Sequence, residues 1–155
     1  MENLLNPQEI EMINELGQME LEASQLYLHL ANSMKTINFF GAASFFTNES
    51  NTEREHYAKL EDFMNNLGEQ LEVRAISAVK APINDLMEAF QAALEAEMDL
   101  LGEYEDAWEK SSPKTKALFH HFIELQTESV GEYGDLIARL SRTSEPILID
   151  QELAK

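Results

Sequence analysis

Four long stretches of this chain carry apolar residues at steps of three and four, and each is broken near its middle by polar or charged residues. The first runs through Ile13, Gly17, Glu20, Ser24, Tyr27 and Ala31, the second through Ala42, Phe46, Glu49, Glu53, His56, Leu60, Phe63 and Leu67. The third gives Ile83, Phe90, Leu94, Glu97, Leu101, Tyr104 and Trp108, and the fourth Phe119, Phe122, Gln126, Ser129, Tyr133, Leu136 and Leu140. Such spacing lines one face of an α-helix, which must then be buried against its neighbours. The midpoint of a helix stays at mid-height whichever way the helix points. Glu20, Glu53, His56, Glu97 and Gln126 are therefore expected to converge at the centre of a bundle.

The six glycines and four prolines are expected to mark the ends of these segments. Asn6, Pro7 and Glu9 read as N-cap, first helical position and capping-box partner of a helix reaching about Lys35. A second helix runs from about Phe40 to Gly68, a third from about Asn84 to Lys110 after Pro82, and a fourth from Ser112 and Pro113 to about Arg142. A short amphipathic segment follows from Pro146. Helices of about 28 residues are roughly 42 Å long, and the link from Glu69 to Ile83 can span roughly 50 Å when extended. The other links are too short for that, so each outer pair forms an antiparallel hairpin and the middle helices run parallel. The expectation is one all-α domain over residues 1–155, a four-helix bundle with one long crossover and a short fifth helix.

Three carboxylates buried at one level would cost several kcal/mol per ion without compensation, and bound cations remove that conflict. Glu53 and His56 lie three residues apart on one face, and carboxylates from other helices can then bridge two metals. A lone Glu-x-x-His is usually a surface ion pair; four segments placing polar groups at one depth is a different matter. Tyr27 shares the face of Glu20 and reads either as a core tyrosine or as a group beside the metals. Glu49, one turn before Glu53, reads as a rim residue, a proton acceptor or an additional ligand. His29 is expected to face outward, His120 and His121 to serve packing or an interface, and the methionines to fill the core.

Eleven basic against 29 acidic residues give a net charge of −18, which repels phosphate backbones and anionic lipid and concentrates cations. Nucleic-acid and membrane partners are not expected. The absence of cysteine excludes disulfides and thiolate ligands, leaving carboxylate, imidazole and carboxamide for any metal. The first residues lack a basic and then apolar leader, and no run of about 18 apolar residues occurs, so the chain reads as cytoplasmic.

These residues resemble the non-haem bacterial ferritins, within the ferritin-like di-iron family, over nearly the whole chain. Glu20-Leu21-Glu22-Ala23-Ser24 with Tyr27 is similar to the family's first-helix segment, and Glu53-Arg54-Glu55-His56 to its second-helix E-R-E-H. Glu97 and Gln126 fall at the third- and fourth-helix ligand positions, and Ile147–Leu153 resembles the family's terminal I-D-x-E-L. The resemblance implies a ferroxidase: Glu20, Glu53 and His56 would hold one iron, Glu53, Glu97 and Gln126 the second, with Glu53 as bridge and Tyr27 beside them. It also implies oxidation of paired Fe(II) by dioxygen or peroxide and storage of ferric mineral in a homo-oligomeric shell of 24 subunits.

Ser129 stands where many di-iron members have a second histidine, which implies a weaker second site. Arg54 stands where haem-binding members have methionine, so no haem is expected. Of the usual third-site carboxylates only Glu128 is matched, with Glu49 as a candidate replacement. Competing expectations are a non-catalytic acidic assembly or metal-buffering protein, a dodecameric relative with ligands between subunits, and an oxygen-activating enzyme for a small organic substrate.

Overall fold

The computed structural model describes residues 4–155. Its helices are α1 (Pro7–Thr36), α2 (Phe40–Asn66), α3 (Leu86–Glu109), α4 (Pro113–Leu140) and α5 (Pro146–Leu153). This is the expected all-α bundle with its short fifth helix. Among the described residues no helix is long and apolar enough to cross a membrane.

Prolines start three of the helices: Pro7, Pro113 and Pro146 each open one, where a missing N–H costs nothing. The glycines do not behave as expected, because Gly17, Gly102, Gly131 and Gly134 lie inside helices and only Gly68, at φ 81°, ends one. Asn6 caps α1 by accepting the Glu9 N–H at 2.8 Å. The Glu9 side chain does more than a capping box asks. Buried, it accepts from Asn6 Nδ2 at 2.8 Å, from Ser112 Oγ at 3.0 Å and from the Thr115 hydroxyl. Ser112 therefore spends its hydroxyl on Glu9 and caps no N–H of α4 with its side chain. One carboxylate joins the starts of α1 and α4, so these two helices run parallel. Asp85 caps α3 by accepting the Glu88 N–H at 2.8 Å, and the helix starts at Leu86.

Contacts across the bundle fix the other directions. Ser24 meets Ser50 between α1 and α2, Tyr27 and Glu20 of α1 meet Glu97 and Tyr104 of α3, and Gln126 of α4 meets Glu97. Each of these pairs is antiparallel, which leaves α2 and α3 parallel across the crossover. That extended segment, between Asn66 and Leu86, lies along α1. Asn14 Oδ1 accepts the Glu72 N–H at 2.9 Å, and Gln18 and Gln25 donate to Ala75 O and Ser77 O at 2.8 and 3.0 Å. His29 Nε2 lies 2.7 Å from Ala81 O, which makes its outward placement a structural one. The positions 14, 18, 25 and 29 share one helical face, so the strap's polar backbone is met by a row of α1 side chains. Leu71 anchors it beneath, its methyl carbons 3.3 Å from where a Cβ of Gly17 would lie.

The inward face of α3 differs from the expected stripe. Leu86, Ala89, Phe90, Ala93, Glu97, Leu100, Tyr104 and Ala107 are buried, while Leu94 and Leu101 are half-buried and Trp108 is exposed. The apolar arc of this helix is wide, with Glu88, Gln91, Glu95, Asp99, Asp106 and Glu109 on the opposite side, and within that arc the edge carrying alanines is the one that admits close neighbours.

Helix α5 docks at the start of α2, whose N-cap Phe39 offers no side-chain acceptor. Asp150 Oδ1 accepts the Ala42 N–H at 2.7 Å and supplies that cap from the far end of the chain. A Cβ on Gly41 would lie 1.9 Å from Asp150 O, so only glycine admits this approach. Asp150→Ala is expected to cost about 1 kcal/mol of stability. Gly41→Ala is expected to cost about 1–3 kcal/mol by overpacking. Urea unfolding midpoints of the two variants check both.

Candidate metal centre

Glu20, Glu53, His56, Glu97 and Gln126 are all buried and meet at mid-height, each carried by the inward face of its helix. Two groups of three form, Glu20–Glu53–His56 and Glu49–Glu53–Glu97, each with ligand atoms within 4.8 Å of one another. Glu53 belongs to both. His56 Nδ1 lies 3.3 Å from Glu53 Oε2 and 3.4 Å from Glu20 Oε2. Around this set the Tyr104 hydroxyl donates to Glu20 Oε1 at 2.7 Å, and the Tyr27 hydroxyl donates to Glu97 Oε1. Gln126 Nε2 donates to Glu97 Oε2 and lies 3.3 Å from Glu97 O. Two buried oxygens, Glu20 Oε2 and Gln126 Oε1, receive no hydrogen bond. An oxygen left in this way is costly unless a cation takes its lone pair. The donor set of carboxylate oxygens and one imidazole suits a hard or borderline divalent ion.

A sequence model of the ferritin-like domain matches residues 10–143. The chain belongs to the ferritin family. Among the curated relatives it is 33% identical to a ferritin of Pacifastacus leniusculus, over 94% of this chain and 87% of that one. It is 25% identical to a bacterial non-heme ferritin of Staphylococcus haemolyticus, over 97% and 96% of the two chains. Among solved structures an open-pore ferritin from the archaeon Archaeoglobus fulgidus superposes with a TM-score of 0.88. That match covers 97% of this chain and 98% of the other at 20% identity, and it establishes the fold alone. The resemblance to non-haem bacterial ferritins read from the sequence motifs agrees with these relatives.

In this ferritin, Glu49 is half-buried and has a carboxylate oxygen within 4.8 Å of those of Glu53 and Glu97. Glu128 is exposed and lies outside both groups. Glu132, one turn further along α4, is one of three carboxylates, with Glu97 and Glu53, whose charge adds to burial in raising the pKa of Glu49. Sequence reasoning placed Tyr104 in the core but not its hydrogen bond to Glu20, because a tyrosine on an apolar stripe gives no sign of its distant partner. Ser50, which exchanges hydroxyl bonds with Ser24 one turn above the centre, is buried and was also missed. Tyr133 is fully buried beside Tyr27, with ring centroids 6.3 Å apart, and its hydroxyl has no partner. Phe122 stacks on Tyr104 at 4.9 Å and meets the His56 ring edge-on, closing the base of the site with apolar surface.

Burial and mutual repulsion leave the carboxylates reluctant to ionise without a cation. Desolvation, then the charge of Glu53, pushes Glu97 up to about 7. Desolvation, then Glu132, Glu97 and Glu53, pushes Glu49 up to about 7. Glu53 is raised as well, chiefly by burial and by Glu20, with His56 opposing. Burial alone would lower His56, but Glu20 and Glu53 outweigh it and raise it to about 10. Every one of these groups holds its proton more tightly folded than unfolded. Such groups stabilise the fold most below their unfolded pKa and lose that contribution as pH rises through the folded value. The metal-free protein is therefore expected to be more stable at about pH 5 than at about pH 8, since the shifted glutamates titrate between 4.5 and about 7. A divalent ion that displaces these protons is expected to reverse the loss at the higher pH. Melting temperatures with chelator and with Co(II) across that range check the sign.

Proposed function

We propose that this ferritin stores iron and that its bundle centre oxidises Fe(II) to Fe(III). The observation that carries the reading is that Glu53 is common to two ligand groups in one buried pocket. A carboxylate with two oxygens between two ligand sets can bridge two metal ions. Fe(II) is the substrate: Glu20, Glu53 and His56 hold one ion, and Glu53, Glu97 and Gln126 hold the other with Glu49 at its rim. Each Fe(II) gives up one electron. A dioxygen molecule that takes both electrons, with two protons, leaves as hydrogen peroxide. With peroxide as oxidant the same two electrons and two protons yield two waters.

The chain's own residues prepare this exchange. Anionic oxygen ligands favour the Fe(III) state over Fe(II), lowering the cost of electron loss. Glu49, Glu53 and Glu97, whose pKa values burial raises, give up protons more readily as cations enter. The Tyr104 and Tyr27 hydroxyls fix one oxygen of Glu20 and one of Glu97. Gln126 and Ser129 stand where a second Glu-x-x-His would supply a carboxylate and an imidazole, so the second position has no histidine and its third carboxylate is the half-buried Glu49. That asymmetry favours an ion that leaves after oxidation, as storage requires, over one retained for substrate chemistry. Delivery of Fe(III) to the interior of a 24-subunit homo-oligomer completes the proposed role.

A passive metal-buffering protein would bind the same ions without accelerating their oxidation. Stopped-flow oxidation of Fe(II) by dissolved oxygen separates the two. Wild-type protein is expected to react far faster than buffer. His56→Ala and Glu53→Ala are expected to be slower by about tenfold or more, at least the loss seen when supports of metal ligands are removed. Wild-type rates no faster than buffer, or unchanged rates in both variants with intact helical content, overturn the proposal.

A further inference from the structure

We infer that the seam between α1 and α3 is a docking groove for a basic amphipathic helix of a partner protein. Helix α1 has three occupied directions: one face enters the core, a second carries the crossover strap, and the third borders α3. Along that third side two cavities open, of about 150 and 110 Å³. Ala23 and Leu100 floor the larger, Leu16 and Ala107 the smaller, and all four are buried.

The two floors are seven residues apart on both helices, which is two turns or roughly 10.5 Å. A helix laid along the seam repeats its side chains at that same interval, so residues i and i+7 would enter the two cavities with those at i+3 and i+4 between them. From Leu26 to Met12 the lined stretch corresponds to roughly 21 Å, or about fourteen helical residues. Met12 and Met19 line the walls and give them an adaptable apolar surface.

Charge selects the occupant. Glu22 and Asp99 stand over the larger cavity, and Glu15, Glu103 and Asp106 over the smaller. All five are exposed, and none forms an ion pair among the described residues. Lys110 is the single basic residue in the lining. Acidic walls over an apolar floor complement a helix with an apolar ridge flanked by lysine or arginine, and the net charge of −18 steers such a segment inward. The inference stands independently of the metal chemistry at the bundle centre.

The test uses the intact assembly and a labelled fourteen-residue helical peptide with leucine at i, i+4 and i+7 and lysines on both flanks. Fluorescence anisotropy at about 0.15 M salt, where surface attraction is already screened beyond about 8 Å, is expected to show saturable binding. The double variant Glu22→Lys/Asp99→Lys is expected to weaken it at least tenfold. Asp62→Lys/Asp135→Lys, which makes the same change in net charge on exposed positions of α2 and α4, is expected to leave it within twofold. Replacing the three leucines by serine is expected to weaken it at least tenfold as well. Equal losses in the two double variants, undiminished binding of the serine peptide, or displacement of the peptide by spermine or Ca(II) at matched charge would each show diffuse acidity and overturn the inference.

Discussion

Everything in this bundle is arranged around the confinement of like charge. Glu20, Glu53 and Glu97 lie buried at one level with a single imidazole among them. Desolvation and repulsion would make three bare carboxylates there untenable, and the only remedies are protons or cations. The raised pKa values of Glu53 and Glu97 are in keeping with the first remedy, and Glu20 Oε2, which has only the His56 Nδ1 contact at 3.4 Å, and Gln126 Oε1, which has no hydrogen bond, leave room for the second. The same constraint explains the surroundings. Tyr27 and Tyr104 each donate a hydrogen bond to a carboxylate oxygen, stabilising it without taking the other oxygen of that carboxylate.

Holding such a centre requires helices that do not slide, and the chain secures them at their ends with side chains from elsewhere. Glu9 binds the start of α1 to that of α4, and Asp150 caps α2 from α5. Ser24 and Ser50 lock α1 to α2 one turn from Glu20 and Glu53. The crossover, which alone permits α2 and α3 to run parallel, is laid on α1 by Asn14, Gln18, Gln25 and His29. Helix α1 thus has its core contacts, its strap and its seam with α3 set by three different faces. Little of its surface is free of structural duty, which makes the open acidic seam conspicuous.

The bundle and the convergence of these side chains at its centre were legible because each rests on a local rule repeated four times. Helical periodicity placed Glu20, Glu53, His56, Glu97 and Gln126 on inward faces, and the invariance of helix midpoints placed them at one depth. What escaped depends on partners far along the chain. Tyr104 reaches Glu20 across 84 positions, and Glu9 reaches Thr115 across 106, and nothing in either local pattern encodes the partner. The inward face of α3 lies to one side of the expected stripe because its apolar arc is wide, and packing takes the edge with the alanines against neighbours. Glu49 was ambiguous since a rim position satisfies both a buried and a solvated reading, and Glu128 proved exposed because its turn of α4 faces away from the centre.

The claim on which the account rests is that Glu53 bridges two metal ions within one chain. Anomalous diffraction from crystals of the assembled protein loaded with Fe(II) without oxygen, or with Zn(II), tests it directly. The account predicts two anomalous peaks per chain, separated by roughly 3.5–4 Å as in two-metal sites, with one Glu53 oxygen on each and His56 on only one of them. A single peak, or peaks confined to the exposed carboxylates while the centre stays empty, would contradict it.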